Sequence, residues 1–391
     1  MVRHSDIAPC AALTLLALAC DAFNRERPRC EASPGPNWTV VAPMAVPRSG
    51  HTVTLLDSGQ VLVAGGLRNH DYPDGIEASA EVYDPATDRW HPVGSMHLPR
   101  RSHRTVRLRG SGKVLVVGGQ DGPSPAEVFD PAAETWTQTG PLSIGHNVGA
   151  LVALSDGSAL VFGGFAQEGV PTTRIERYDP MSNTWSVVGD TLAASTYDVA
   201  ARIEDGSVLL SGRELTPTGN TTASERFDPS TGVSRNTGPQ ARPHAYCGAL
   251  AQLADGRLLL TGGESEDPPS GPSREAFVPW LDVAEVFDPV SDTWRTTQPM
   301  SSDRCAHTLT TLLDGRVLAA GGWHDVREFR VHSHTEIYDP ASGTWSPSGS
   351  MHACRAQHGA VRLQDGRVLV VGGEDERGIL ASAEVYDPGT R

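Results

Sequence analysis

Lysine is almost missing from this chain of 391 residues: Lys113 stands alone against 31 arginines. The 47 acidic side chains outnumber the 32 basic ones, the formal net charge is −15, and no stretch concentrates Lys and Arg. A sequence-independent grip on a phosphate backbone needs a basic stripe, so nucleic acid is not an expected partner. No apolar run reaches the ~20 residues that cross a bilayer as a helix. There is no CxxC pair to nucleate a structural zinc site. G-x-S-x-G, H-E-x-x-H and P-loop patterns are missing too, which removes the commonest hydrolase, metalloprotease and nucleotide-binding readings.

Glycine and proline, in contrast, are abundant, at 41 and 29 residues. They recur at intervals instead of forming one block, which is the distribution of turn residues between many short strands.

Residues 1–20 have the pattern of an export signal: a basic start at Arg3 and His4, an apolar run from Ile7 to Ala19, and a small-residue ending. Leu16-Ala17-Leu18-Ala19-Cys20 resembles a lipoprotein box, with Ala17 where Leu is usual and Asp6 unusual in the leader. Lipidation of Cys20, giving an envelope-anchored protein, and plain cleavage near Ala19 or Ala22, giving a secreted one, stand as alternatives. Residues 21–36 are polar and contain proline, and read as a disordered tether. Beyond Cys20, Cys30, Cys247, Cys305 and Cys354 permit three disulfide pairings, and their spacing selects none.

The remainder, residues 37–391, is one unit repeated seven times. Gly-Gly closes an apolar run at Gly65, Gly118, Gly163, Gly262, Gly321 and Gly372, and Gly212-Arg213 fills the one gap. After each comes an aromatic followed by Asp-Pro, at Tyr83, Phe129, Tyr178, Phe227, Phe287, Tyr338 and Tyr386. A tryptophan follows seven residues later at Trp90, Trp136, Trp185, Trp294 and Trp345, while the fourth unit has Ser234. Within a unit, an Asp-Gly or Ser-Gly turn joins two strands and predicts a two-residue hairpin loop. Runs such as Val114–Val117 lack alternation and suit strands covered on both faces. The Ala-Glu-Val-Tyr-Asp-Pro segment is a third strand and the Trp segment a fourth.

This pattern resembles the kelch repeat. The resemblance implies an all-β, seven-bladed kelch-type β-propeller with four antiparallel strands per blade. The last unit stops at Arg391, before its fourth strand, and the missing strand stands at the other end: Asn37-Trp38-Thr39-Val40-Val41 matches the Thr344-Trp345 segment. The N-terminal strand is therefore expected to complete the seventh blade.

On such a propeller the loops between second and third strands and the connections between blades share one face, and here the former vary widely in length. That face is the expected ligand-binding surface. Four interblade connections carry Arg three residues before His: Arg48/His51, Arg100/His103, Arg304/His307 and Arg355/His358. One reading makes the arginines a positive ring at the channel mouth that captures a carboxylate, phosphate or acidic peptide. The other has each one cap strand ends or pair with an acidic residue in the next blade. His146, Ser195 and Ala245 stand where the ring would lack its Arg.

The blade 6 loop offers His324, Asp325, Glu328, His332 and His334. No metal is assigned, and His332 and His334 are kept as the candidate ligands. The blade 5 loop carries Phe277 and Trp280, either to stack on a sugar or a partner's apolar anchor, or to fold back on their own blade.

The functional expectation is an exported, non-catalytic module binding protein or glycan through the loop face, as a monomer without a cofactor and touching membrane only through a lipid anchor. A sugar-acting enzyme similar to galactose oxidase or a sialic-acid mutarotase is the alternative. The oxidase resemblance implies a Tyr cross-linked to Cys beside copper, and Tyr197, Tyr246, Cys247 and His244 are of the right types without matching a ligand motif. A third reading is a scaffold within a larger surface assembly. No BTB or F-box segment accompanies the repeats.

Overall fold

The computed structural model describes residues 30, 32–119, 125–147, 149–166, 170–214, 224–265, 279–325 and 330–389. The export signal with Cys20, most of the expected tether, residues 266–278 of the blade 5 loop with Phe277, and Glu328 of the blade 6 loop lie outside the described residues.

Each repeat forms one four-stranded antiparallel sheet, seven in all, with no helix among the described residues. In blade 1 the strands run Thr52–Leu55, Val61–Ala64, Ala80–Asp84 and Arg89–Val93 from the channel outward. The second strand is buried along its whole length here and in Val114–Val117, Ala159–Phe162, Leu258–Thr261, Val317–Ala320 and Val368–Val371. Neighbouring blades cover both of its faces, which is why its sequence is continuously apolar.

The first hairpin differs from the expected two-residue loop. The Leu56 N–H donates to the Gln60 carbonyl at 2.8 Å, enclosing three residues, and Gly59 takes φ 87°. This is the bulged three-residue loop with its glycine in the left-handed region. The Asp of the motif has its own task, accepting from the backbone N–H two residues on, as Asp156 does from Ser158 at 3.0 Å.

At the outer hairpin, the aromatic of the third strand and the Trp of the fourth stand opposite each other, Tyr83 across from Trp90, with ring centroids 4.9 Å apart. The Trp indole then reaches the preceding blade: Trp90 Nε1 donates to Ala42 O at 2.7 Å and Trp136 Nε1 to Gly94 O at 2.8 Å.

Blade 7 consists of Gly359–Arg362, Val368–Val371, Ala383–Tyr386 and, outermost, the N-terminal strand Trp38–Val41. Trp38 lies opposite Tyr386 with ring centroids 5.2 Å apart, the aromatic pair of the other blades made from the two ends of the chain. The expected closure is thus present.

Both disulfides join neighbouring parts of the ring: Cys30–Cys354 and Cys247–Cys305. The first bears on the expected tether. Cys30 and Ala32 pack with Val331, Cys354 and Ala356, and the Gly35 N–H donates to Ser350 O at 2.9 Å. The end of the segment read as disordered is therefore held to the propeller by a covalent bond and a small apolar cluster.

Interblade connections and second-to-third loops share one face, joined by the bridges Ser49 with Leu67, Asn147 with Phe165, Ala245 with Glu264, Cys305 with Trp323, and Ala356 with Glu374. Around the channel mouth the connections also bond to one another. Ser102 N–H donates to Gly50 O, Gly50 N–H to Gln357 O, Gln357 N–H to Ala306 O, and Ala306 N–H to Cys247 O, at 2.9 to 3.1 Å. Gly50, Ser102, Ala306 and Gln357 all take φ between 52° and 62° at this position, so three non-glycine residues accept a left-handed conformation to make the ring.

Removing residues 1–41 takes away the outer strand of blade 7 with the buried Trp38, whereas removing 1–29 leaves strand and disulfide in place. Thermal denaturation of the two truncations should show the first melting at least 10 °C below the second. A difference of only a few degrees would show that the closing strand contributes little.

Candidate functional site

The four arginines are not a solvent-facing ring. Arg48, Arg100, Arg304 and Arg355 are each 0% exposed. Arg304 Nη1 donates to Gly321 O at 2.7 Å and to His334 O at 3.1 Å, while Nη2 donates to Glu336 Oε1 at 2.7 Å. Arg48 meets Gly65 O, Ser79 O and Glu81, and Arg355 meets Gly372 O, Ser382 O and Glu384, in the same arrangement. Arg100 does likewise with Gly118 O, Pro125 O and Glu127.

The backbone of each Arg faces the other way. Gly66 N–H donates to Arg100 O at 2.8 Å, and Gly322 N–H to Arg355 O at 2.9 Å. Each arginine therefore rivets the doublet of one blade to the third strand of the next, and the acid-pairing reading is the correct one. The doublet is small because of this approach: a Cβ on Gly262 would lie 2.3 Å from Arg304 O, and Gly262 also takes φ +64°.

The partner carboxylate comes from the third strand of every blade: Glu81, Glu127, Glu176, Glu225, Glu285, Glu336 and Glu384. All seven are buried, and all seven accept backbone N–H groups of the connection entering their blade, from Ala45 and Val46, His97, Ser143 and Ile144, Leu192, Ala241 and Arg242, Ser301, and His352 and Ala353. This role was not recognised from the sequence, although a glutamate standing in a buried apolar strand in every repeat was its signal.

In blades 3 and 5 histidine replaces the arginine. His146 shares hydrogen bonds with Gly163 O at 2.8 Å and Glu176 at 3.1 Å, and His244 with Gly262 O at 2.6 Å. The residue equivalent to Arg in blade 5 is thus His244, one position before the Ala245 assigned by sequence register.

The histidine three residues after each arginine is buried as well, and three of them reach threonines of the preceding blade: His103 to Thr52, His307 to Thr261 and His358 to Thr308, at 2.7 to 3.0 Å. Burial, with the nearby arginine charges adding to it, pushes His51, His103 and His307 down to about 3 and His358 well below the usual range.

The blade 6 loop brings its histidines together, but as a stack. His324 and His332 lie with ring centroids 3.7 Å apart and planes 11° apart, and His334 packs on His332 at 4.2 Å. Parallel rings direct their nitrogens side by side and not toward one ion. His332 Nε2 is used by Ser302 Oγ at 2.9 Å. Asp325 N–H donates to Asp303 at 3.2 Å, and burial pushes His324 down to about 4.

Among the described residues, the one trio of ligand types with converging atoms is Cys247, Glu264 and Cys305, and its two sulfurs are joined to each other. That bond also bears on the copper-oxidase resemblance. Cys247 is committed to Cys305, Cys30 to Cys354, and His244 Nδ1 to Gly262 O, so these residues do not fit a centre built on a Tyr–Cys cross-link.

Trp280 is 5% exposed and stacks on Trp323 with centroids 6.3 Å apart, which places it between blades 5 and 6 and not on the surface as an anchor. Side chains that the face does expose include Arg68, Tyr72, with the Arg101 guanidinium 4.9 Å from its ring centroid, and His334, beside the half-buried His324.

The Kelch motif matches residues 47–97 and 146–191. A kelch repeat-containing protein of Caenorhabditis elegans is 35% identical over 107 residues, 26% of this chain and 18% of its own length. An F-box/kelch-repeat protein of Arabidopsis thaliana is 44% identical over 78 residues, 20% of each chain. The matched segments thus span about a fifth of the length of these relatives. Among solved structures, a fungal alcohol oxidase of the AA5 family in complex with copper superimposes with a TM-score of 0.69 at 17% identity, covering 91% of this chain and 76% of the other, a likeness of fold alone. With six Gly-Gly doublets, seven aromatic strands and seven four-stranded blades in place, the chain is a kelch-repeat β-propeller.

Two outcomes are expected of the rivets. Arg304→Met leaves Glu336 buried beside an apolar side chain and should cost about 3–5 kcal/mol, with Arg304→Met/Glu336→Gln recovering part of it. Denaturant unfolding of the two variants checks this, and a loss under about 1 kcal/mol for the single variant would show the pair to be dispensable.

The second concerns acid. The folded pKa values of the inner histidines lie below the ordinary 6.5, so the unfolded chain binds more protons between about pH 6.5 and 3. Stability should fall as pH drops through that window. Denaturation midpoints at pH 7.0, 5.5 and 4.5 should decline in that order, more shallowly for His103→Gln/His307→Gln. A flat profile would contradict the buried neutral state.

Proposed function

We propose that this propeller is an exported binding module, secreted or held at the envelope through Cys20, that engages a protein partner on its loop face as a monomer without chemistry of its own. The observation that carries the reading is the use of the repeated charged groups. The arginines and the third-strand glutamates are taken up inside the ring, so what distinguishes one blade from another at the surface is the set of second-to-third loops on a rigid floor. Variation presented on a fixed scaffold is the general arrangement of recognition surfaces. Two disulfides suit an oxidising compartment and support export. A glycan remains the second class of ligand for the same face.

The test is site-specific photo-crosslinking of the full chain in the cells that produce it. A crosslinking amino acid replaces Arg68, Tyr72 or His334 on the loop face, or Met181, Val290 or Leu313 on the opposite face, where these three are exposed. Discrete protein adducts are expected from the first set only. Adducts confined to the second set, or none from all six positions, would overturn the reading.

A further inference from the structure

The chain does not enter the propeller where its closing strand begins. Strand Trp38–Val41 starts at the end of blade 7 remote from the loop face: Trp38 lies opposite Tyr386, the last residue of the third strand, and Asn37 O accepts from the Asp387 N–H at 2.9 Å. A chain that stopped there would project its N-terminal segment from the opposite face, where Met181 and Val290 stand exposed in the corresponding hairpins of blades 3 and 5. The segment before Trp38 instead leads back to the loop face. Trp38 N–H donates to Gly35 O at 3.2 Å in a turn, and Gly35 N–H donates to Ser350 O at 2.9 Å, where the outer strand Thr344–Ser350 of blade 6 gives way to the connection entering blade 7. Cys30 is bonded to Cys354 within that connection, and with Ala32 it packs against Ala356 and against Val331 of the blade 6 loop.

Cys354, Ala356 and Val331 all belong to the loop face. The point of entry is thus fixed covalently on that face, between blades 6 and 7, although ring closure by Trp38–Val41 does not by itself call for it. Everything before residue 30 is attached through this point, Cys20 included. Nine residues separate Cys20 from Cys30, and the ten Cα steps between them reach about 35 Å at full extension. A compact body the size of residues 37–391 is roughly 50 Å across. A lipid on Cys20 therefore holds the loop face toward the bilayer, because laying the opposite face on it would need those nine residues drawn straight along the side of the ring.

We infer that the Cys30–Cys354 clasp turns the loop face toward the membrane that holds Cys20, and that the partner bound there is the exposed part of an integral membrane protein. This rests on the reading of the chain as an anchored module that binds protein on its loop face. The tether decides between a membrane partner and a soluble one. A protein fixed in the same membrane meets the face at a high effective concentration, whereas a soluble protein gains nothing from the anchor. It must also fit a gap no wider than the tether's reach of about 35 Å. The bilayer surface is not itself the ligand, since a net charge of −15 is repelled by anionic headgroups. The large apolar side chains that the face exposes among the described residues, Tyr72, Leu98, Val170 and Leu192, come from four separate segments of blades 1 to 4 and do not form the continuous apolar face of an interfacial anchor. Single apolar side chains set among polar ones suit the surface of another protein.

The experiment reconstitutes the protein, purified in detergent from the cells that make it, on phosphatidylcholine vesicles containing an energy-acceptor lipid. A fluorescent amino acid replaces Arg68 or His334 on the loop face, or Met181 or Val290 on the opposite face. Transfer to the bilayer should be about twofold or more stronger from the loop face, given the short reach of the tether. Cys30→Ser/Cys354→Ser, which frees the entry point to shift toward Asn37, should lose or reverse the difference. Equal transfer from the two faces with both cysteines in place, or stronger transfer from the opposite face, overturns the orientation without needing the double variant to fold. A protein that carries no lipid and leaves the vesicles overturns it as well, and places the failure in the anchoring. The loop-face photo-adducts then identify the class of partner. They should stay with the membrane through alkaline extraction, and should fall about tenfold or more in Cys20→Ser, which loses the anchor. Adducts with lipid alone, or with a soluble protein, overturn the assignment to an integral membrane protein, and the latter would leave the binding face itself in place.

Discussion

A buried carboxylate on the third strand of each blade is the constraint on which the ring depends. Seven blades must meet at seven junctions, and at each one the connecting chain crosses the rim with backbone N–H groups turned inward. Left without partners in an interior of low dielectric, those groups would each cost as much as a lost hydrogen bond. The glutamate accepts them; an arginine from the same connection pairs with it at four of the junctions, His146 hydrogen-bonds it at a fifth, and His244 lies 3.9 Å from it at a sixth. The glycine doublet follows from this arrangement, because only a residue without Cβ lets the connection of the next blade lie so close.

Such a junction is sound only when complete. Charged pairs buried this deeply contribute little beyond an apolar substitute of equal volume, but removing one member strands the other. The propeller therefore tolerates replacement of the arginine by another polar group beside the glutamate, as blades 3 and 5 show with His146 and His244, better than its loss. The stacked histidines of blade 6 and the inner-wall histidines obey the same rule in neutral form.

Much of the architecture was legible in the sequence because it is periodic. The doublets, the aromatic before Asp-Pro and the Trp seven residues on define one blade, and the displaced Trp38 reveals the seam. Individual side-chain roles were less legible. A regular row of arginines looks the same on paper whether it lines a mouth or lies beneath it, and only the three-dimensional path of the connection buries Arg48 and its equivalents. Trp280 was ambiguous for the same reason. The disulfide pairing depended on which connections become neighbours on the rim, and the blade 5 register slipped by one residue where Arg is replaced.

The seam has a consequence for how the molecule comes into being. Strand Trp38–Val41 emerges first from the ribosome and finds its partner Ala383–Tyr386 last. Until the final residues are available, the first strand has no place in the ring, and blade 7 offers an open edge to any chain that fits. Two copies meeting at that stage could exchange first strands and finish each other's rings, a route to swapped pairs favoured by crowding during synthesis. The clasp between Cys30 and Cys354 draws the head of the chain back to its own tail and so favours the self-closed form.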